Sequence, residues 1–266
     1  MIGRLALVFA AFVALGLTTP AAAQWGRSAP ARDEGCILDR CGDKEDRAKP
    51  RPAPGDRAAP GERPVERPTA SRAPANVAPG NFDFYVLALS WSSSFCALEG
   101  AEKGRSQCAP GAKLGFVTHG LWPQYERGFP SNCDSSNPPR SAMEAGRAAF
   151  PEEGLARYQW RKHGSCTGLS AGQYFAEVQR ARAAVTIPEA FRAPERAQTF
   201  DPLDVQRAFI EANRGLRPGM LGVSCRRGLL QEVRVCLSKD LRSFRPCPEV
   251  ARNVCRTWEI SAPGVL

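Results

Sequence analysis

The chain has no apolar run long enough to cross a bilayer, only two histidines, and no two cysteines in C-x-x-C spacing. Each shortage narrows the range of functions. A spanning helix needs roughly 18 to 20 apolar residues in a row, and the stretch from Leu5 to Leu17 falls short of that. With two histidines and no C-x-x-C pair there is little from which to assemble a zinc centre, so neither a metal nor another cofactor is expected. Large apolar residues are also scarce between residue 24 and about residue 78, where Trp25, Ile37 and Leu38 stand almost alone. Such a segment cannot bury enough surface to fold by itself.

What is present points first to export. Arg4, the apolar stretch Leu5 to Leu17, and Ala21-Ala22-Ala23 before Gln24 read as a cleaved signal peptide over residues 1–23. The expected location is therefore periplasmic or secreted. All ten cysteines lie beyond that signal: Cys36, Cys41, Cys96, Cys108, Cys133, Cys166, Cys225, Cys236, Cys247 and Cys255. An even number in an exported chain implies a disulfide framework, with zinc as the competing reading, and composition leaves the pairing open. Residues 24–78 repeat Arg-Pro, Ala-Pro and Glu-Arg-Pro steps, the composition of an extended tether, with a small loop closed by Cys36 and Cys41. A plain linker and a docking segment are both compatible with it.

From about Asn81 the chain turns apolar, β-branched and aromatic, which gives one domain over residues 79–266, large enough for a single core. Of the net charge of +9, Arg4 contributes one and residues 24–72 contribute two, leaving +6 from residue 73 onward. A basic domain is compatible with a phosphate polymer as partner. Strands are expected at Phe82–Trp91, Lys113–Leu121 and Leu229–Leu237, the last alternating Leu230, Glu232 and Arg234 with Val233 and Val235. Helices are expected at 154–163, 171–185 and 202–213, with Ser170 and Asp201 as N-caps. That irregular order implies an α+β fold, a central antiparallel sheet flanked by helices.

The two histidines fall in two short segments, Thr118-His119-Gly120-Leu121-Trp122-Pro123 and Gln159-Trp160-Arg161-Lys162-His163-Gly164-Ser165-Cys166. Each is flanked by Gly and Trp, one after a strand and one at a helix end. A lone histidine is more often structural, but two in such settings make an acid–base pair titrating near neutrality. Gln159, Lys162 and His163, at i, i+3 and i+4, would share one helix face, with Trp160 turned to the core.

These segments resemble the two active-site blocks of the ribonuclease T2 family, H-G-L-W-P and H-E-W-x-K-H-G-x-C. The first matches in full; the second matches at Trp160, Lys162, His163, Gly164 and Cys166, and Leu89-Ser90-Trp91 looks like part of the family's opening strand. Tyr158 and Gln159 stand where the family places His and Glu, so hydrogen bonding is retained there while charge is lost. The resemblance implies a disulfide-stapled α+β domain, with Cys133–Cys166, Cys225–Cys255 nested around Cys236–Cys247, and Cys96–Cys108 as a local loop.

It also implies an endoribonuclease acting on single-stranded RNA. RNA carries its own nucleophile, the 2′-hydroxyl, so the enzyme has only to remove that proton, protonate the leaving 5′-oxygen and stabilise the phosphorane. The resemblance assigns His163 as base, His119 as acid and Lys162 to the non-bridging oxygens, with Gln159 beside them; the residue types alone leave the histidine roles exchangeable. Trp122 is expected to stack on a base, with Tyr158, Gln124 and Phe129 as further substrate contacts. The product is a 2′,3′-cyclic phosphate, DNA is not cut, and the protein acts as a monomer. The alternative is a ribonuclease-like domain that binds RNA without cutting it, or, further off, a surface protein held by its Pro-rich tail.

Overall fold

The computed structural model describes residues 78–192 and 194–266. The expected signal peptide and Cys36–Cys41 loop, and all but the last residue of the Pro-rich segment, lie outside them. The first strand, β1 (Phe84–Trp91), is buried at every position, which is why its sequence runs FYVLALSW without polar alternation. It is central: β2 (Phe116–Gln124) pairs with it antiparallel on one side and β5 (Leu229–Ser238) antiparallel on the other. β4 (Leu221–Arg226) pairs antiparallel with β5. β3 (Gln198–Phe200) and β6 (Ile260–Ala262) form a short antiparallel ribbon that meets β5 through one parallel pair, Leu229 opposite Ser261. The architecture is α+β, one largely antiparallel sheet flanked by helices.

The helices are α1 (Ser92–Phe95), which runs into a π-helical turn at Cys96–Gly100, α2 (Met143–Ala149), α3 (Glu153–Lys162), α4 (Ala171–Ala183), α5 (Pro202–Ala212) and α6 (Pro248–Arg252). Ser170 caps α4 in a full capping box with Gln173, and Asp201 accepts from Leu203 N at the start of α5, where Pro202 needs no amide partner.

Strand parity decides which face does what. Tyr85, Leu87, Leu89 and Trp91 of β1 join Val233, Val235 and Leu237 of β5 in the main core, covered by Tyr174, Phe175 and Val178 of α4 and Val205 and Phe209 of α5. The opposite face carries Phe84 and Val86 with Cys236 and Cys247 in a small second cluster against Trp122 and Val250. Two irregularities interrupt the alternation. Gly120 lies opposite Ala88 while Thr118 lies opposite Leu89, so His119 is one extra residue, a β-bulge. A second shift, with Ser224 opposite Glu232 but Cys225 opposite Leu230, makes Gln231 the extra residue of β5. The expected row of Leu230, Glu232 and Arg234 is thereby corrected: Leu230 belongs to the main core, and Glu232 and Arg234 belong to the other face.

Four disulfides close the described part of the chain: Cys96–Cys108, Cys133–Cys166, Cys225–Cys255 and Cys236–Cys247. Among the described residues no cysteine is unpaired, and no helix is long and apolar enough to cross a membrane.

Candidate active site

The first block is shaped by its glycine and its bulge. A Cβ at Gly120 would collide with Nε1 of Trp122 and Oε1 of Gln159, so only glycine permits the indole to fold back over the strand. There Trp122 Nε1 donates to Gln159 Oε1 at 2.9 Å. The bulge returns Thr118 to the core face and leaves His119 on the face shared by Ser90, Glu232 and Arg234. Without it, the pleat would carry the imidazole into the core.

The second block is a helix end. α3 stops at Lys162, and His163 takes up φ −129° as the cap residue, its N–H still bonded to Gln159 O at 3.0 Å. The chain can turn there because Gly164 packs against the rings of Trp160 and Tyr174, where a Cβ would come within 2.8 Å of both. Trp160 is buried against Tyr174, as expected of a core anchor. The loop after β2 clamps this turn: Asn132 N donates to Lys162 O, Asp134 N to Ser165 Oγ, Arg161 Nη1 to Asn137 Oδ1, and Cys133–Cys166 fixes the clamp covalently.

Trp122 joins the two blocks. Its ring lies 5.3 Å from His119, edge-on, and 5.3 Å from His163, tilted by 31°. Phe129, 46 % exposed, lies 6.3 Å from the His163 ring. Gln159 is 1 % exposed and is occupied by the indole, Lys162 is half-buried at the end of α3, and Tyr158 and Gln124 are half-buried nearby in their elements. The structure therefore brings His119, His163, Trp122 and Gln159 into one cluster with Phe129 at its rim, while Gln124 donates to the carbonyl of its neighbour Pro123.

The two imidazoles differ sharply in surroundings. His163 is 8 % exposed, and among the described residues its Nδ1 has no hydrogen-bond partner. Burial, then the positive charges of Lys162 and His119, hold it well below its ordinary value of 6.5. Its place at a helix C-terminus favours the cation by about 0.3–1 kcal/mol, and desolvation outweighs that. His119, by contrast, meets a carboxylate: Nδ1 contacts Oε1 of Glu232.

Glu232 and Arg234 are the residues that sequence reasoning passed over. Glu232 is 2 % exposed. Its burial acts to raise its pKa, but the charges and hydrogen bonds of His119 and Arg234 prevail and hold it down to about 2. Arg234 donates from Nε and Nη2 to Glu232 Oε2 at 2.9 and 2.8 Å, and its guanidinium lies 5.3 Å from the centre of the Trp122 ring. Ala88 and Gly120, both small, leave it clear to reach there. The only signal in the sequence was an acid and a base two residues apart, Glu232 and Arg234, in a strand otherwise dominated by Leu and Val. Among the described residues no three His, Cys, Asp or Glu side chains are grouped to hold a metal ion.

The model of the ribonuclease T2 family matches residues 82–247, a span that includes both blocks, β1 and the Glu232 strand. The chain belongs to the ribonuclease T2 family. It is 37% identical to a ribonuclease of Aeromonas hydrophila over 163 residues, 60% of this chain and 74% of that one. It is 25% identical to Ribonuclease I of Escherichia coli over 237 residues, 70% of this chain and 88% of that one. Among solved structures, an RNase-related protein from Calystegia sepium is similar at TM-score 0.56 and 20% identity, covering 70% of this chain and 98% of that one, a likeness of fold alone. The protein is thus a T2-type ribonuclease, and Tyr158 and Gln159 are its departures from the family's second block.

Proposed function

We propose that this T2-type ribonuclease is an exported, monomeric endonuclease that cuts single-stranded RNA by transesterification, without a metal, leaving 2′,3′-cyclic phosphate ends. One observation carries the reading: the only two histidines of the chain meet around Trp122 in opposite environments, His163 dry and unpartnered, His119 against a buried carboxylate. Paired titratable groups whose surroundings push them apart take acid and base roles. His163, kept neutral, accepts the 2′-hydroxyl proton; the 2′-oxygen forms its bond to phosphorus. His119, whose imidazolium has Glu232 as counter-ion, gives a proton to the departing 5′-oxygen as the P–O bond breaks.

Lys162, next to His163 in sequence, neutralises the non-bridging oxygens as charge develops on the phosphorane. Gln159 holds the indole of Trp122 rather than charging the site. Trp122, Tyr158, Gln124 and Phe129 are the proposed substrate contacts, Phe129 being the most exposed of them and the readiest to stack on a base. DNA lacks the 2′-hydroxyl that serves as nucleophile and is not cut. The framework of disulfides and the Leu5–Leu17 signal both fit an oxidising compartment, periplasmic or extracellular.

The test is to incubate the purified protein with single-stranded RNA and excess EDTA and to identify the fragment ends. Cyclic phosphate termini in EDTA are expected. Binding without cleavage would replace the enzyme by an RNA-binding module, and activity that EDTA removes and a divalent ion restores would replace the two-histidine mechanism.

A further inference from the structure

The Glu232 strand lies two strands from His119, with β1 between them, a backbone separation of about 9–10 Å. The gap is bridged because the residue in between is small: Ser90 lies opposite Glu232, and the imidazole and carboxylate meet above it while Ser90 Oγ donates to Glu232 Oε1 at 3.3 Å. A carboxylate that is 2 % exposed is costly unless paired. Here the pairing is double, His119 on Oε1 and Arg234 on Oε2.

We propose that Glu232 is a positioning residue for RNA cleavage: it fixes His119 through Nδ1, turns Nε2 toward the leaving oxygen, and balances the imidazolium, while Arg234 keeps the carboxylate ionised. The inference rests on His119 being the general acid. In the neutral ring Nδ1–H donates to Glu232, so the proton that is exchanged sits on Nε2. When His119 gives up that proton, Glu232 is still paired with Arg234, and no buried charge is stranded at either stage of the cycle. Among the described residues the ionic groups set against His119 are Glu232, paired in turn with Arg234 from β5, and His163, itself beside Lys162 at the end of α3; Glu232 is the negative one. Its removal leaves the acid facing positive charge only.

The experiment compares wild type, Glu232→Gln and Arg234→Gln by pH-dependent cleavage of a dinucleotide, with NMR titration of the two imidazoles, assigned by His119→Ala. Outer groups that orient a working imidazole are worth from about 10-fold to about 10⁴-fold in activity. Glu232→Gln is expected to lower kcat within that range with KM nearly unchanged, and to shift the basic limb of the profile and the His119 titration to lower pH. Arg234→Gln removes a positive charge beside the pair and should move both the opposite way and by less, since Glu232 stays ionised against His119. A lower melting temperature with the limb and the His119 titration unmoved means a merely structural residue and overturns the proposal. If Glu232→Gln does not fold, the wild-type 15N spectrum decides: a neutral His119 protonated on Nδ1 supports the proposal, and one protonated on Nε2 overturns it. Full activity in His119→Ala would instead remove the acid assignment itself.

Discussion

His119 and His163 are the same side chain held by two different kinds of structure. His119 sits on a bulge of β2, the strand at one edge of the sheet, and its partner comes from another strand 113 positions away. His163 sits where a helix stops, in a dry turn clamped by a loop and a disulfide, with no partner on Nδ1 among the described residues. The strand site supplies a counter-charge; the helix site withholds water. Two identical groups are thereby set in opposite surroundings, as the proposed acid and base roles require.

The largest effect expected is from the histidines themselves. His119→Ala and His163→Ala should each lower kcat by about 10² to 10⁴ with the melting temperature little changed, since general acid–base groups contribute on that scale. Because the two act on one proton transfer sequence, the double variant should be no worse than about either single one, far from the product of the two. Single-turnover rates on a dinucleotide measure this. A His119→Ala protein that keeps a tenth of the wild-type rate would dissolve the comparison.

Next in size is the clamp on the helix site. Loss of a native bridge from a small exported domain costs about 2–5 kcal/mol, and Cys133–Cys166 pins the turn that carries His163, whereas His119 is held by strand pairing. A Cys133→Ser/Cys166→Ser protein should therefore lose stability by that amount in urea melts. Its folded fraction should show a shifted His163 resonance and an unshifted His119 resonance. Equal disturbance of both would mean that the two sites are not independently supported.

Trp122→Phe probes the bridge between them. The change removes the donor to Gln159 Oε1, an acceptor in a side chain 1 % exposed, and an orphaned buried acceptor costs about 1–3 kcal/mol. The expected result is that loss in stability, with both histidine titrations moving because both rings rest on the indole. An unchanged melting midpoint would show that Gln159 finds another donor.

Much of this arrangement was legible in the sequence, and the limit was geometric. β1, β5, α3, α4 and α5 announced themselves by apolar runs, period and caps, because those signals are local. Glycine at 120 and 164 could be read as close approach only once the indole, Gln159 and Tyr174 were seen against them. Glu232 could not be read at all: an acidic residue between Gln231 and Val233 has the appearance of a solvent-facing position, and nothing local tells that β5 runs beside β1 with His119 one strand beyond. The bulges at His119 and Gln231 compounded this, since each reverses the alternation from which facing is inferred. α2, rich in Ala and Gly, and the short β4 carried too little pattern to be seen.

The smallest expected effect is thermodynamic and belongs to His163 alone. Its native pKa lies below 6.5, so as pH falls through 6.5 the unfolded chain takes up a proton that the folded chain refuses. Stability then declines with pH by up to about 1.36 kcal/mol per unit, until the folded pKa is reached and the loss is complete. Glu232 acts in a lower window with the same sign: its folded pKa is about 2 against 4.5, so its contribution is full above 4.5 and fades as the pH falls from there toward 2. The two windows can be separated by replacing His163 with Asn and measuring urea unfolding at a series of pH values. Subtracting one curve from the other cancels the titrations that both proteins share, His119 included. The wild type should lose stability faster than His163→Asn below pH 6.5, whereas the decline that Glu232 causes below 4.5 should appear in both proteins. Parallel curves through that upper window would mean that the His163 imidazole accepts a proton as readily in the fold as outside it. A base that charges so easily would not be the dry partner of His119, and the contrast between strand site and helix site would have to rest on Glu232 alone.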